Sequence, residues 1–136
     1  MRGNLPALVR RFHGMFKTVP LLVVMGTIFY LSHQPGGSFH LPDIILFDKL
    51  LHTVAYGVLA ATFLFAVPVW LKRKSLKLTA IVAVIFCFLY GISDEYHQSF
   101  IPGRFVSGWD VAADIFGASM VACFWRRRMQ KREEKV

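Results

Sequence analysis

The chain alternates long apolar stretches with short polar breaks, and that alternation predicts its elements. Four apolar runs stand out: Thr18–Ser32, His52–Leu71, Leu78–Ser93 and Val111–Trp125. A helix rises ~1.5 Å per residue and must cross ~30 Å of hydrocarbon. Only the second run reaches that length alone; the others do so when their polar flanks enter the membrane with them. Short of a closed barrel, only helices satisfy their own backbone groups in lipid. The pattern therefore predicts an all-α membrane protein, a bundle of four transmembrane helices. Basic residues precede the first run, as in a signal peptide. No small-x-small cleavage site follows Tyr30-Leu31-Ser32-His33, so that run is read as a membrane helix.

Two further stretches carry a pattern. Leu5, Leu8, Val9, Phe12 and Phe16 recur at helical spacing with Arg10 and Arg11 between them. This predicts a short N-terminal amphipathic helix on the inner leaflet, with a frayed basic tail as the alternative. The stretch from His33 to Phe47 holds Gln34-Pro35-Gly36-Gly37 and Pro42 and is expected to be an irregular external loop.

Composition agrees. Of 136 residues, 55% are apolar and thirteen are Phe, above the ~45–50% apolar content of soluble domains. The net charge of +8 would suggest nucleic acid in a soluble chain. Here the basic residues lie between apolar runs, so anionic lipid headgroups at the cytoplasmic face are the expected partner, and nucleic acid is not. All sixteen Lys and Arg except Lys49 and Arg104 fall in residues 1–17, in the loop from Lys72 to Lys77, or in residues 126–136. By the positive-inside rule these three segments are cytoplasmic, which makes the bundle N-in/C-in. Residues 1–17 form a basic segment at the cytoplasmic face, 18–125 the transmembrane domain, and 126–136 a basic cytoplasmic tail. Cys87 and Cys123 sit inside apolar runs without metal or redox spacing and are expected to be small buried hydrophobes. Tyr30, Trp70, Trp109 and Trp125 are expected to anchor at interfaces.

Six of the eight acidic residues fall at the opposite side: Asp43, Asp48, Asp94, Glu95, Asp110 and Asp114. Asp48, His52 and Tyr56 step by four and share a helix face, as do Tyr90, Asp94 and Gln98, with Glu95 beside them. Asp110 and Asp114 repeat that spacing ahead of Gly117, and Arg104 is a lone external arginine. Asp114 precedes Arg126 by twelve residues, ~18 Å of helix, which puts it below the outer hydrocarbon boundary. Asp94 follows Lys77 by seventeen, ~25 Å of helix, at or just below that boundary. A carboxylate in mid-membrane costs ~2.5–3.5 kcal/mol on insertion scales and needs partners. Asp48 and Asp110 also suit helix N-termini, and Ser107-x-x-Asp110 fits a capping box. Asp94 and Glu95 lie near a helix C-terminus, where the dipole disfavours anions, so they call for a compensating cation or metal. His97 falls on a different face, and His13, His33 and His40 have no convergent neighbours in the sequence.

These motifs resemble the VanZ-like family of bacterial membrane proteins: Asp48-Lys49-x-x-His52-x-x-x-Tyr56, then Ser93-Asp94-Glu95-Tyr96-His97-Gln98-x-x-x-Pro102-Gly103-Arg104, then Asp110-Val111-x-x-Asp114-x-x-Gly117. The resemblance covers about residues 20–125. It implies a multi-pass protein of the bacterial cell membrane, of the type linked to low-level resistance to the glycopeptide teicoplanin, and it implies no particular reaction. The chain departs from the family pattern with Asp114 where Asn is frequent. It also has Val121 where a second small residue often follows Gly117.

The expected function is an outward-facing site that binds or modifies the headgroup of an envelope lipid or glycolipid, or a lipophilic glycopeptide. Arg104 and Lys49 would grip phosphate or carboxylate. Glu95, His52 and Asp94 would carry acid–base chemistry. Asp48, Tyr56, Gln98, Asp110 and Asp114 would complete the binding site. A divalent cation, Mg²⁺ or Ca²⁺, held by Asp94, Glu95 and Asp110 is compatible with these oxygen ligands. A small proton-coupled transporter and a non-catalytic accessory membrane subunit are the alternatives.

Overall fold

The computed structural model describes residues 7–37 and 45–135, with side chains from residue 14 onward in the first stretch and from residue 47 in the second. Asp43, His40 and Pro42, and the side chains of the amphipathic stretch up to His13, lie outside the described residues. The regular elements of the described chain are all helices: α1 (Ala7–Ser32), α2 (Ile45–Ala66), the short α3 (Val69–Lys74), α4 (Leu76–Gln98) and α5 (Gly108–Glu133).

Among the described residues, three helices are long and apolar enough to cross a membrane, over Gly14–Ser32, Phe47–Ala66 and Leu76–Gln98. The segment expected as a separate surface helix is, from Ala7 on, part of the same unbroken helix as the first span. The second run does not extend to Leu71. Pro68 lacks an N–H and disfavours helical backbone at the residue before it, so α2 stops at Ala66 and α3 starts afresh. The third run is longer than its apolar core. Ser75 caps it, its hydroxyl accepting from the Leu78 N–H at 3.1 Å, and the helix continues through Asp94 and Glu95 to Gln98.

α2 packs most extensively on α5, α4 on α5 and α1 on α2. The core is built largely of small residues. Ala60, Ala80, Ala83, Ala118 and Ala122 are buried beside Leu59, Leu64 and Cys87. Small side chains let helices approach closely, which is how contact is maximised when lipid supplies no hydrophobic drive between helices. α5 approaches α2 closely at Gly117. A Cβ there would collide with the Thr53 carbonyl of α2, and Gly57 faces Val121 and Gly117 from the other side. The second small residue missing from α5 at Val121 is thus supplied by α2.

The outside of the bundle is covered with large apolar side chains, among them Leu22, Phe29, Val58, Ile85, Leu89, Phe116, Met120 and Phe124. A soluble monomer does not expose a contiguous apolar surface of this extent. Cys123 lies on this outer surface, contrary to the expectation that it is buried; Cys87 is buried, and both are free thiols. Lys17 sits over the Phe65 ring near the end of α2. Burial and the charge of Lys17 hold the Lys72 ammonium below its ordinary pKa. Lys17 of α1 and Lys72 of α3 therefore lie at the same end of the bundle.

Candidate functional site

The polar residues at the other end are assembled by helix phase. Asp48, His52 and Tyr56 of α2 line one cleft together with Asp94 and Gln98 of α4, so the two predicted faces do meet. α5 supplies the backing. His52 Nδ1 and Asp114 Oδ1 are 2.9 Å apart, and Asp114 is only 1% exposed. The His52 ring lies nearly parallel to that of Tyr56, interplanar angle 11°. Room for the Asp114 carboxylate comes from Gly91, where a Cβ would stand 2.8 Å from Oδ2. Gly91 carries no functional group, so its part in the site was legible only as a glycine among apolar residues, one turn before Asp94.

Lys49 ties α2 to α5. Its ammonium contacts Asp48 at 3.1 Å and also pairs with Asp110. Asp110 lies in the first turn of α5, where the helix dipole favours a carboxylate. The expected capping box does not form, because the Ser107 side chain makes no cap bond. The Ser107 N–H, which Asp110 would have accepted from, donates instead to Glu95 Oε2 at 2.8 Å. Glu95 thus closes the start of α5 from α4 and lies outside the lining of the cleft; its Oε1 is buried without a partner. Asp94 accepts from the Gln98 amide at 3.2 Å. These neutral donors answer part of the compensation expected for two anions near a helix C-terminus.

Arg104 is aimed by a turn. Pro102 and Gly103 occupy its centre, Gly103 at φ +75°, and the Arg104 N–H returns to the Ile101 carbonyl at 3.2 Å. This is the pattern in which Pro-Gly is favoured. The turn lies against the end of α1 so closely that a Cβ on Gly36 would collide with the Gly103 carbonyl, and the Gly36 N–H donates to the Pro102 carbonyl at 3.0 Å. From there Arg104 Nε donates to the Gln34 carbonyl at 3.0 Å and an Nη to the Leu31 carbonyl at 2.9 Å. The guanidinium caps the carbonyl end of α1 while also lining the cleft. Both Lys49 and Arg104, expected to grip an anion, are thus engaged within the protein.

Spacing along the chain gives α1 no part in the site. In the structure Ile28, Leu31 and Ser32 of α1 form one wall, facing Leu51 and Ala55 of α2. Ser32, polar at the end of an apolar run, was the available signal. His33 and His97 also meet, Nδ1 to Nε2 at 3.2 Å with Phe29 against the His97 ring, although neither showed a convergent partner in the sequence. The cleft encloses about 250 Å³. Leu31 and Leu51 line it and are also exposed, so the cleft is open beside apolar side chains.

Among the described residues, the groups whose ligand atoms gather within 4.8 Å are Asp48, His52 and Asp110, not the expected Asp94, Glu95 and Asp110. The Lys49 ammonium already bridges Asp48 and Asp110, so positive charge is supplied there by the chain itself.

Neither the curated proteins nor the solved structures contain a match to this chain. The family model described as VanZ/LLP1 matches residues 9–129, a span that includes every residue lining the cleft, and the protein accordingly belongs to the VanZ/LLP1 family.

Proposed function

We propose that the protein crosses the bacterial cell membrane four times, with both termini in the cytoplasm. Its outer-end cleft receives the headgroup of an envelope lipid or glycolipid, or of a lipophilic glycopeptide. α5 is the fourth span of this reading. Asp110 and Asp114 lower its apolar content, yet both are buried and paired inside the bundle, while Phe116, Met120 and Phe124 face outward. The basic ends of α3 and α5 then lie in the cytoplasm, against anionic lipid headgroups.

The observation that carries the reading is a cleft with two characters. Its lining combines apolar residues, of which Leu31 and Leu51 are also exposed, with a polar group of His52, Tyr56, Asp94 and Gln98. Such a space fits an amphiphile entering sideways, chain along the walls and headgroup at His52, Tyr56, Asp94 and Gln98. In this reading His52, oriented by Asp114, is the group that moves a proton if the bound headgroup is modified, and Asp94 orients the headgroup. Glu95 holds the start of α5 as a positioning residue. Lys49 takes the place a divalent ion would fill between Asp48 and Asp110. Transport is disfavoured because the buried core below Asp114 is mainly Leu59, Leu64, Ala83, Cys87, Ala118 and Ala122, and Thr79 is the one buried polar residue beyond them among the described residues.

The test is lipid retention by the purified full chain. Protein extracted from bacterial membranes is expected to carry an amphiphile detectable by native mass spectrometry, and Leu51→Trp, which fills the mouth, to lose it without a lower melting temperature. Unchanged retention by a folded Leu51→Trp would overturn the reading. In cells, deletion is expected to change glycopeptide sensitivity, and Leu51→Trp to fail to restore it at equal membrane abundance.

A further inference from the structure

The polar end of the cleft is poor in available cations. Asp48 and Asp94 both line it. Lys49 does not, and is held between Asp48 and Asp110. Arg104 is the one Lys or Arg side chain that does line it among the described residues, and its Nε and an Nη are committed to the Gln34 and Leu31 carbonyls. His52 has its Nδ1 on Asp114. A second observation is independent of the acids. Tyr56 is 1% exposed, lines the same cleft, and its hydroxyl has no hydrogen-bond partner. Buried polar atoms are normally satisfied, so an orphaned hydroxyl in a cleft wall points to a partner that arrives with the ligand.

Resting on the reading above, we infer that the cleft selects a headgroup carrying hydrogen-bond donors, either hydroxyls or an ammonium, and rejects a terminal phosphate. A phosphate would bring its charge beside two carboxylates, where the single Lys or Arg of the lining among the described residues is already held by the Gln34 and Leu31 carbonyls, and like charges at close range repel strongly where water is scarce. Hydroxyl or ammonium protons meet the carboxylates as charge-assisted hydrogen bonds, and a hydroxyl gives the Tyr56 oxygen a partner as well. This reverses the expectation from sequence that Lys49 and Arg104 grip an anion.

Three amphiphiles with one tail and different heads test it: dodecyl glucoside, dodecylamine and dodecyl phosphate. Each is added to the full chain in phosphatidylcholine nanodiscs. Retention is measured by mass spectrometry, and cleft-specific binding is the part lost in Leu51→Trp, with Leu31→Trp on the opposite wall as a second block. Cleft-specific retention of the glucoside or the amine is expected to exceed that of the phosphate by about tenfold or more. Whichever of the two dominates identifies the donor as hydroxyl or ammonium. Tyr56→Phe is expected to weaken the preferred ligand about threefold or more at an unchanged melting temperature. Cleft-specific binding of the phosphate equal to or above the others overturns the inference and leaves the proposed function standing. No cleft-specific binding of any of the three overturns both.

Discussion

Replacing Gly91 by Ala tests the cleft through a residue outside its lining. The added Cβ would stand 2.8 Å from Asp114 Oδ2, 3.6 Å from its Cγ and 3.5 Å from Tyr56 Cε1. Asp114 is fully buried and its other oxygen is held by His52 at 2.9 Å, so the carboxylate cannot swing away without disturbing that pair. Overpacking of this kind costs ~1–3 kcal/mol, and a hydrogen bond involving a charged group is worth ~1.5–3 kcal/mol. Against these stands the gain from Ala over Gly inside a helix, ~0.5–1 kcal/mol. The net expectation is a loss of about 1–3 kcal/mol, together with weakened headgroup binding. In an Asp114→Ala background the obstructing oxygen is gone, and the same substitution should be neutral or stabilising. The assay is a double-mutant cycle on unfolding in mixed micelles, with an expected coupling of about 2 kcal/mol. Gly57→Ala is the control, because its Cβ meets nothing nearer than 3.4 Å. A Gly91→Ala effect that is the same with and without the Asp114 carboxylate would refute the reasoning.

Other substitutions separate packing from chemistry. Gly117→Ala pushes a methyl into the Thr53 carbonyl and is expected to destabilise by ~1–3 kcal/mol in the same unfolding assay. Glu95→Gln keeps an acceptor for the Ser107 N–H and should retain both fold and headgroup binding. Glu95→Ala should lose ~1.5–3 kcal/mol, and a folded Glu95→Gln that binds nothing would return Glu95 to the ligand site. Arg104→Ala frees the Leu31 and Gln34 carbonyls and is expected to raise hydrogen exchange at the end of α1, whereas Arg104→Lys should restore it only in part because it lacks the fork. Single cysteines at Ser99 and Lys74, in a background without Cys87 and Cys123, are expected to react and to be protected, respectively, with an impermeant reagent added outside the cell; the opposite pattern would invert the topology.

Much of the architecture could be read from one dimension. Apolar periodicity and length marked out the helices, because in lipid each helix must satisfy its own backbone. The i, i+4 spacing of Asp48, His52 and Tyr56, and of Asp94 and Gln98, put the right side chains on the right faces, since helix phase depends on spacing alone. The Asp48, Asp94 and Asp110 motifs also carried the family resemblance that the match over residues 9–129 bears out.

Which partner each group takes was decided by the tertiary structure. Whether Asp110 caps its own helix or pairs with Lys49, whether Glu95 faces a ligand or the Ser107 N–H, and whether Arg104 meets an anion or the end of α1 depend on how far apart the helices sit and at what rotation. Those distances are fixed by contacts such as Gly117 on Thr53 and Gly36 on Gly103, which join residues remote in the chain. Periodicity within a helix is local and is written in the sequence. The pairing of charges between helices is set by packing, because an ion pair or hydrogen bond forms only within about 3 Å, a tolerance that no spacing rule along the chain can specify.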